Sequence, residues 1–210
     1  MTAMVCPPAT TSTCFLWPLI SEAEQEEYLA VLARQSGQMK KLIEDLMDMS
    51  KATTGNMPVD FSRGDATEYL QQALGEFADK LDAVPLMPIF DAPDHPVPIV
   101  CDGRLTWRGL SNLLSNAVKY ALPGTRIYLD LTHVNRQVII SLKNISRKEL
   151  NIDAEELMER FVRGDASRNT EGSGLGLNIA QSLMEVQKGK LDILVDGIMY
   201  WCHNATSPDL

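Results

Sequence analysis

The strongest constraint on the fold is the stretch Gly172-Ser173-Gly174-Leu175-Gly176-Leu177. Leu175, Ile179, Leu183 and Val186 follow at helical spacing, so the glycines sit where a loop enters a helix. Such a junction presents unpaired backbone N–H groups and the positive end of a helix dipole, which suit a phosphate. Glycine lets the backbone approach the ligand and adopt positive φ. Taken alone, the pattern is as readily a helix start or a flexible linker. No strand leads into it, so it is neither the Lys-Ser/Thr phosphate loop nor the dinucleotide fingerprint.

A second segment lies upstream at 110–121. Asn112, Asn116 and Lys119 are spaced i, i+4 and i+7 and share one helix face, while Leu110, Leu113, Leu114, Ala117 and Ala121 take the other. Most polar helix faces are merely solvated. Two stacked asparagines, however, carry a helix-propensity cost. An amide oxygen suits Mg²⁺ that stays partly hydrated and is shared with phosphates, and Lys119 adds a point charge for the same phosphates.

Three segments now stand in order. They are Leu113-Leu114-Ser115-Asn116-Ala117-Val118-Lys119-Tyr120, Arg160-Phe161-Val162-Arg163-Gly164-Asp165, and the glycine stretch. Together they resemble the N box, F box and second glycine box of the sensor histidine kinase catalytic domain. The resemblance spans roughly 21–201. It implies an α+β fold, a two-layer α/β sandwich of the histidine kinase, gyrase and chaperone ATPase type, binding ATP and Mg²⁺. Catalytic roles then fall to Asn112, Asn116 and Lys119, with Asn116 on the metal and Asn112 supporting it. Nucleotide contacts fall to Asn112, Asn116, Lys119, Tyr120, Asn144, Phe161, Arg163, Arg168, Gly172, Ser173, Gly174, Leu175, Gly176 and Leu177.

From the N-terminus, residues 1–20 hold Pro7, Pro8 and Pro18 and read as an irregular tail. The apolar run 14–20 is too short to span a membrane, and no Lys or Arg precedes it as in a signal peptide. Cys6, Cys14, Cys101 and Cys202 lack metal-ligand spacing and read as reduced cytosolic thiols, so a cytoplasmic setting is expected. The net charge of −9 argues against nucleic acid or an anionic membrane surface as partner.

Ser21 opens a capping box with Glu24. Tyr28, Leu32, Gln35, Met39, Leu42, Leu46 and Met49 then form a heptad seam to about residue 52, closed by Gly55. This predicts one long coiled-coil-like helix over 21–55 that meets a second copy, making a homodimer through 21–52. By resemblance it is the second helix of the dimerisation and phosphotransfer hairpin. The first helix would carry a phosphoaccepting histidine in a His-Glu/Asp-x-x-Thr-Pro context; His95, His133 and His203 stand in no such setting.

The kinase domain is expected over 56–201. A short edge strand is predicted at 59–61, and a helix capped by Asp65 with Glu68 over 65–83. Strands follow at 86–90 and 97–101, at edges because of their prolines. The asparagine helix is predicted over 104–121. Alternation at Ile127, Leu129 and Leu131, and at Val138, Ile140 and Leu142, predicts an antiparallel hairpin turning at Asn135 with one face buried. Where relatives carry an Asp-x-Gly-x-Gly box, this chain has Asn144-Ile145-Ser146-Arg147-Lys148. Asn144 can still pair with an adenine edge, without the charge-assisted bond of an aspartate. Residues 146–171 read as a lid with a short helix at 153–161, from which Arg163 and Arg168 could reach a γ-phosphate. Strands at 191–195 and from 198 to 201 end the domain, and 202–210 is expected to be irregular.

The resemblance implies transfer of the γ-phosphoryl of Mg-ATP to a histidine, for relay to a response regulator receiver domain. The alternatives are a catalytically silent nucleotide-binding and dimerisation module, or a serine kinase or ATPase on the same fold.

Overall fold

A computed structural model describes residues 21–135, 137–147, 175–195 and 198–206, the last of these by backbone alone. The chain divides into two compact units, one up to residue 43 and one from residue 44. Helix α1 (Glu22–Thr53) begins at the expected capping box. The Glu24 carboxylate accepts the Ser21 N–H at 2.8 Å and its hydroxyl at 2.7 Å. Gly55, at φ +69°, turns the chain out of the helix. Along the seam Tyr28, Leu32 and Met39 are 55 %, 62 % and 63 % exposed, so in a single copy they face solvent.

The second unit holds the remaining elements. Strand β1 (Ser62–Asp65) pairs antiparallel with β3 (Pro98–Cys101) as a separate two-stranded ribbon. The strand expected at 59–61 is thus displaced to Ser62, because pairing with β3 rather than local apolar content defines it. Asp65 caps α2 (Ala66–Ala83), accepting the Thr67 N–H at 2.9 Å. The same oxygen accepts the Val97 N–H at 3.0 Å, which ties the helix start to the approach of β3.

Five strands form the main sheet in the order β2 (Met87–Asp91), β4 (Arg126–Val134), β5 (Gln137–Ile145), β7 (Ile198–Thr206), β6 (Lys190–Val195). Only the β2–β4 pair is parallel. β2 lies at the edge, as its proline requires. Asn135, at φ +51°, makes the β4–β5 turn.

The strand at 198 runs on to Thr206, not to Trp201, so the irregular tail expected from Cys202 is corrected. β7 sits between β5 and β6 and is hydrogen-bonded on both sides, which holds a strand whatever its side-chain pattern. His203, expected in that tail, is paired with Ile140 and Leu191.

Helices α2, α3 (Gly103–Tyr120) and α4 (Gly176–Val186) cover one face of this sheet. The alternation read from sequence is the alternation of burial: Ile127, Leu129 and Leu131 with Val138, Ile140 and Leu142 meet Leu70, Phe77, Leu110, Leu113, Leu114 and Leu177 in one core. On the other face the Lys143 ammonium bonds the Asp130 carboxylate at 2.6 Å.

Candidate nucleotide site

Asp102 caps α3, its Oδ1 accepting the Arg104 and Leu105 N–H groups at 3.0 and 3.2 Å. Its Oδ2 accepts the Asp60 N–H at 3.0 Å. Burial pushes the carboxyl up, but the bonds from Asp60 and Leu105 and the Arg104 charge outweigh it, so its pKa lies below the ordinary value. A depressed native pKa means stability that is present at neutral pH and lost as pH falls through it. Asp102→Asn is expected to lower the unfolding midpoint at pH 7 but to narrow the gap to wild type below about pH 4. Thermal unfolding across that range checks this; a pH-independent gap would assign the loss to shape alone.

One turn on, Arg108 grips Asp45 and Asp48 of α1, the Asp45 bond being 3.1 Å. Next on that line come Asn112 and Asn116. α4 packs against α3, with the end of the Met184 side chain over Gly109. The start of α4 lies at the asparagine face. A Cβ built on Gly176 would lie 3.5 and 3.6 Å from the Asn116 Nδ2 and Oδ1, and 3.9 Å from the Asn112 Cβ. Gly176 opens α4, so the N-terminal end of that helix, where a helix dipole is positive, lies beside Asn116.

The telling feature is unmet hydrogen bonding. Asn112, Asn116 and Asn144 each bury an Nδ2 that has no partner among the described residues. Buried polar groups are as a rule paired, so three orphaned amides on predicted site residues point to a missing ligand. Asn144 shares the core face of β5 with Leu142 and Ile140. Its end of β5 is stitched to the end of α3: Leu122 N–H donates to the Ile145 oxygen, and Arg147 N–H to the Tyr120 oxygen, both at 2.8 Å. Asn116 stands one turn back from that stitch. The Lys119 ammonium lies 4.9 Å from the Tyr120 ring centre. The Leu177 side chain is buried in the core, and Leu175 is half-buried at the start of α4.

Phe161, Arg163, Arg168, Gly172, Ser173 and Gly174, with the expected lid helix at 153–161, lie outside the described residues. Asp102, Arg108 and Gln187 were not legible as site neighbours. Asp102 shows only as a polar residue ahead of the helix, and the other two matter through partners distant in sequence. Among the described residues no three His, Cys, Asp or Glu cluster as a metal site.

The family model described as "Histidine kinase-, DNA gyrase B-, and HSP90-like ATPase" matches residues 102–207, just over half of the chain. The sensor histidine kinase YcbM of Bacillus subtilis is 25 % identical over 84 % of this chain and 57 % of its own length. The Acinetobacter baumannii histidine kinase AdeS superposes with a TM-score of 0.70 at 20 % identity, covering 86 % of this chain and 84 % of that one. Full-length ShkA, solved in complex with AMPPNP, gives 0.71 at 22 % identity over 89 % of this chain and 40 % of its own. The chain thus spans little more than half of a curated relative it matches. The orphaned asparagines, the glycine-led helix and the sheet that carries them belong to a known architecture: the chain is a member of the histidine kinase, DNA gyrase B and HSP90-like ATPase family, with the ATPase domain of the sensor histidine kinases.

Proposed function

We propose that this chain binds Mg-ATP between α3 and the loop entering α4, and serves as the catalytic part of a cytoplasmic sensor histidine kinase. It would pass the γ-phosphoryl to a histidine for relay to a response regulator receiver domain. The observation that carries the reading is the set of three orphaned amides of Asn112, Asn116 and Asn144 around Gly176 and the end of α3.

The roles follow from donor chemistry. Asn144 offers a donor and an acceptor to the adenine edge. The α4 N-terminus and Lys119 hold the phosphates, with Gly172, Ser173, Gly174, Arg163 and Arg168 adding contacts from the lid side, and Phe161 and Tyr120 flanking. Asn116 would hold Mg²⁺ through its amide oxygen, supported by Asn112. Bound Mg²⁺ supplies neutralisation of phosphate charge, which a chain of net charge −9 needs locally. The protein's own work is positioning and electrostatic support rather than covalent chemistry.

Calorimetric titration with ATP and ADP tests the reading. The chain is expected to bind both, and Asn144→Ala to weaken them alike by about 1–3 kcal/mol, the cost of a buried hydrogen bond. Absence of ATP binding would end the proposal; unchanged ADP affinity in Asn144→Ala would place base recognition elsewhere. The exposed heptad seam of α1 supports a homodimer through 21–52. No described helix is long and apolar enough to cross a membrane.

A second reading, a catalytically silent nucleotide-binding and dimerisation module, is favoured by the histidines: His95 is exposed between β2 and β3, and His133 and His203 lie in sheet strands.

A further inference from the structure

Resting on the nucleotide reading above, we infer that the linker following α1, Met57 to Asp60, sets the position of the start of α4 at Leu175 and Gly176, where that reading puts the phosphates, with Thr106 and Gln187 as positioning residues. The linker engages α4 at both ends. At the far end, Asp60 donates its N–H to the Asp102 Oδ2 at 3.0 Å. The Asp102 N–H in turn donates to the Gln187 Oε1 at 2.8 Å, and the same oxygen accepts the Thr106 hydroxyl at 3.2 Å. Gln187 is the C-cap residue of α4 and donates through Nε2 to the Leu183 oxygen at 2.9 Å. One short hydrogen-bonded chain therefore links the linker backbone to the last turn of α4.

At the near end the link is apolar. Leu105, Ile179 and Leu183 are buried together, apart from the main core, and Met57, Val59, Leu175 and Val186 pack on them half-buried. Leu175 is a residue of the glycine loop itself, and Gly176 beside it faces Asn116. The opposite side of α4, through Leu177 and Ala180, joins the main core. The helix is thus held by a large fixed core on one side and by a small cluster shared with the linker on the other. A helix is stiff along its length, so a displacement imposed by the linker moves its first turn beside Asn116. Small, partly exposed clusters open at lower free energy than cores, which makes this side the adjustable one. A change in α1 would reach the phosphate contacts by this route, without touching the base contacts at Asn144.

The test uses the full chain with Gln187→Met, Thr106→Val and Val59→Ala. Two readouts are compared: amide hydrogen exchange of residues 179–183 without nucleotide, and affinity for Mg-ATP against adenosine. Each variant is expected to speed exchange at these amides of α4 and to lower Mg-ATP affinity, by roughly five- to tenfold for Gln187→Met, which removes two accepted hydrogen bonds. Adenosine affinity should stay within about twofold, and Thr106→Ser, which keeps the hydroxyl, should restore both readouts. Unchanged exchange, or ATP and adenosine weakened in equal measure, would overturn the inference. Faster exchange in a chain that binds no ATP would instead overturn the nucleotide reading and leave the mechanical coupling standing.

Discussion

Incubated with γ-labelled Mg-ATP, this 210-residue chain is expected to acquire no phosphohistidine, whereas a separate hairpin carrying a histidine in the family's phosphoacceptor context is expected to be labelled in trans. Phosphoryl transfer requires the acceptor nitrogen in near-attack geometry, in line with the leaving oxygen. That needs a histidine on a mobile or separate helix able to approach the nucleotide. His95 lies in the exposed loop between β2 and β3 and on no helix, while His133 is fixed in β4 and the His203 backbone between β5 and β6. Fixed sheet positions cannot be carried to a γ-phosphate without unfolding the layer that binds it. The readout is acid-labile, alkali-stable phosphate. Label mapped to any of these three histidines would refute the expectation. Label on neither chain nor hairpin, with ATP binding intact, would favour the silent module over the kinase.

The second large effect is expected at Asn116. Asn116→Ala should lower Mg-ATP affinity by about 10–100-fold, the range seen when a metal-supporting group is removed, and should have a much smaller effect when Mg²⁺ is chelated. Stability should move the other way. The Asn116 Nδ2 is buried without a partner among the described residues, so deleting it removes an unmet desolvation cost. The nucleotide-free variant is therefore expected to unfold at the same temperature as wild type or higher. This trade of stability for binding is typical of sites, where local rules of satisfaction are broken for a ligand's sake. Titration with and without Mg²⁺, alongside thermal unfolding, checks both halves. Equal losses in the two titrations would remove Asn116 from the metal, and a lower midpoint would mean that the amide has a structural partner.

Much of the site was legible because its signals are local. The spacing of Asn112, Asn116 and Lys119 determines that they share a helix face, since helical periodicity follows from backbone geometry. The glycines before Leu177 determine a loop entering a helix, and period-two alternation determines which face of the β4–β5 hairpin is buried. Local pattern failed where partners decide. The tail from Cys202 has no strand alternation, yet β5 pairs with it as far as Thr206 and β6 as far as Asn204.

By itself, then, the sequence determined residue types and the elements that carry them: asparagines on one face of α3 and on β5, a glycine at the head of α4, a heptad seam along α1. Only the tertiary structure decided which of these meet. α4 packs on α3, with Met184 over Gly109 and Gly176 against Asn116, contacts between elements more than fifty residues apart in the chain. The stitch of Arg147 to Tyr120 brings the end of β5, and Asn144 with it, to the end of the same helix. The links from Asp60 through Asp102 to Gln187 likewise exist only after folding. The reason is physical: periodicity depends on neighbours a turn away, whereas packing distance between two elements depends on which residue, even a single glycine, stands at the point where they cross.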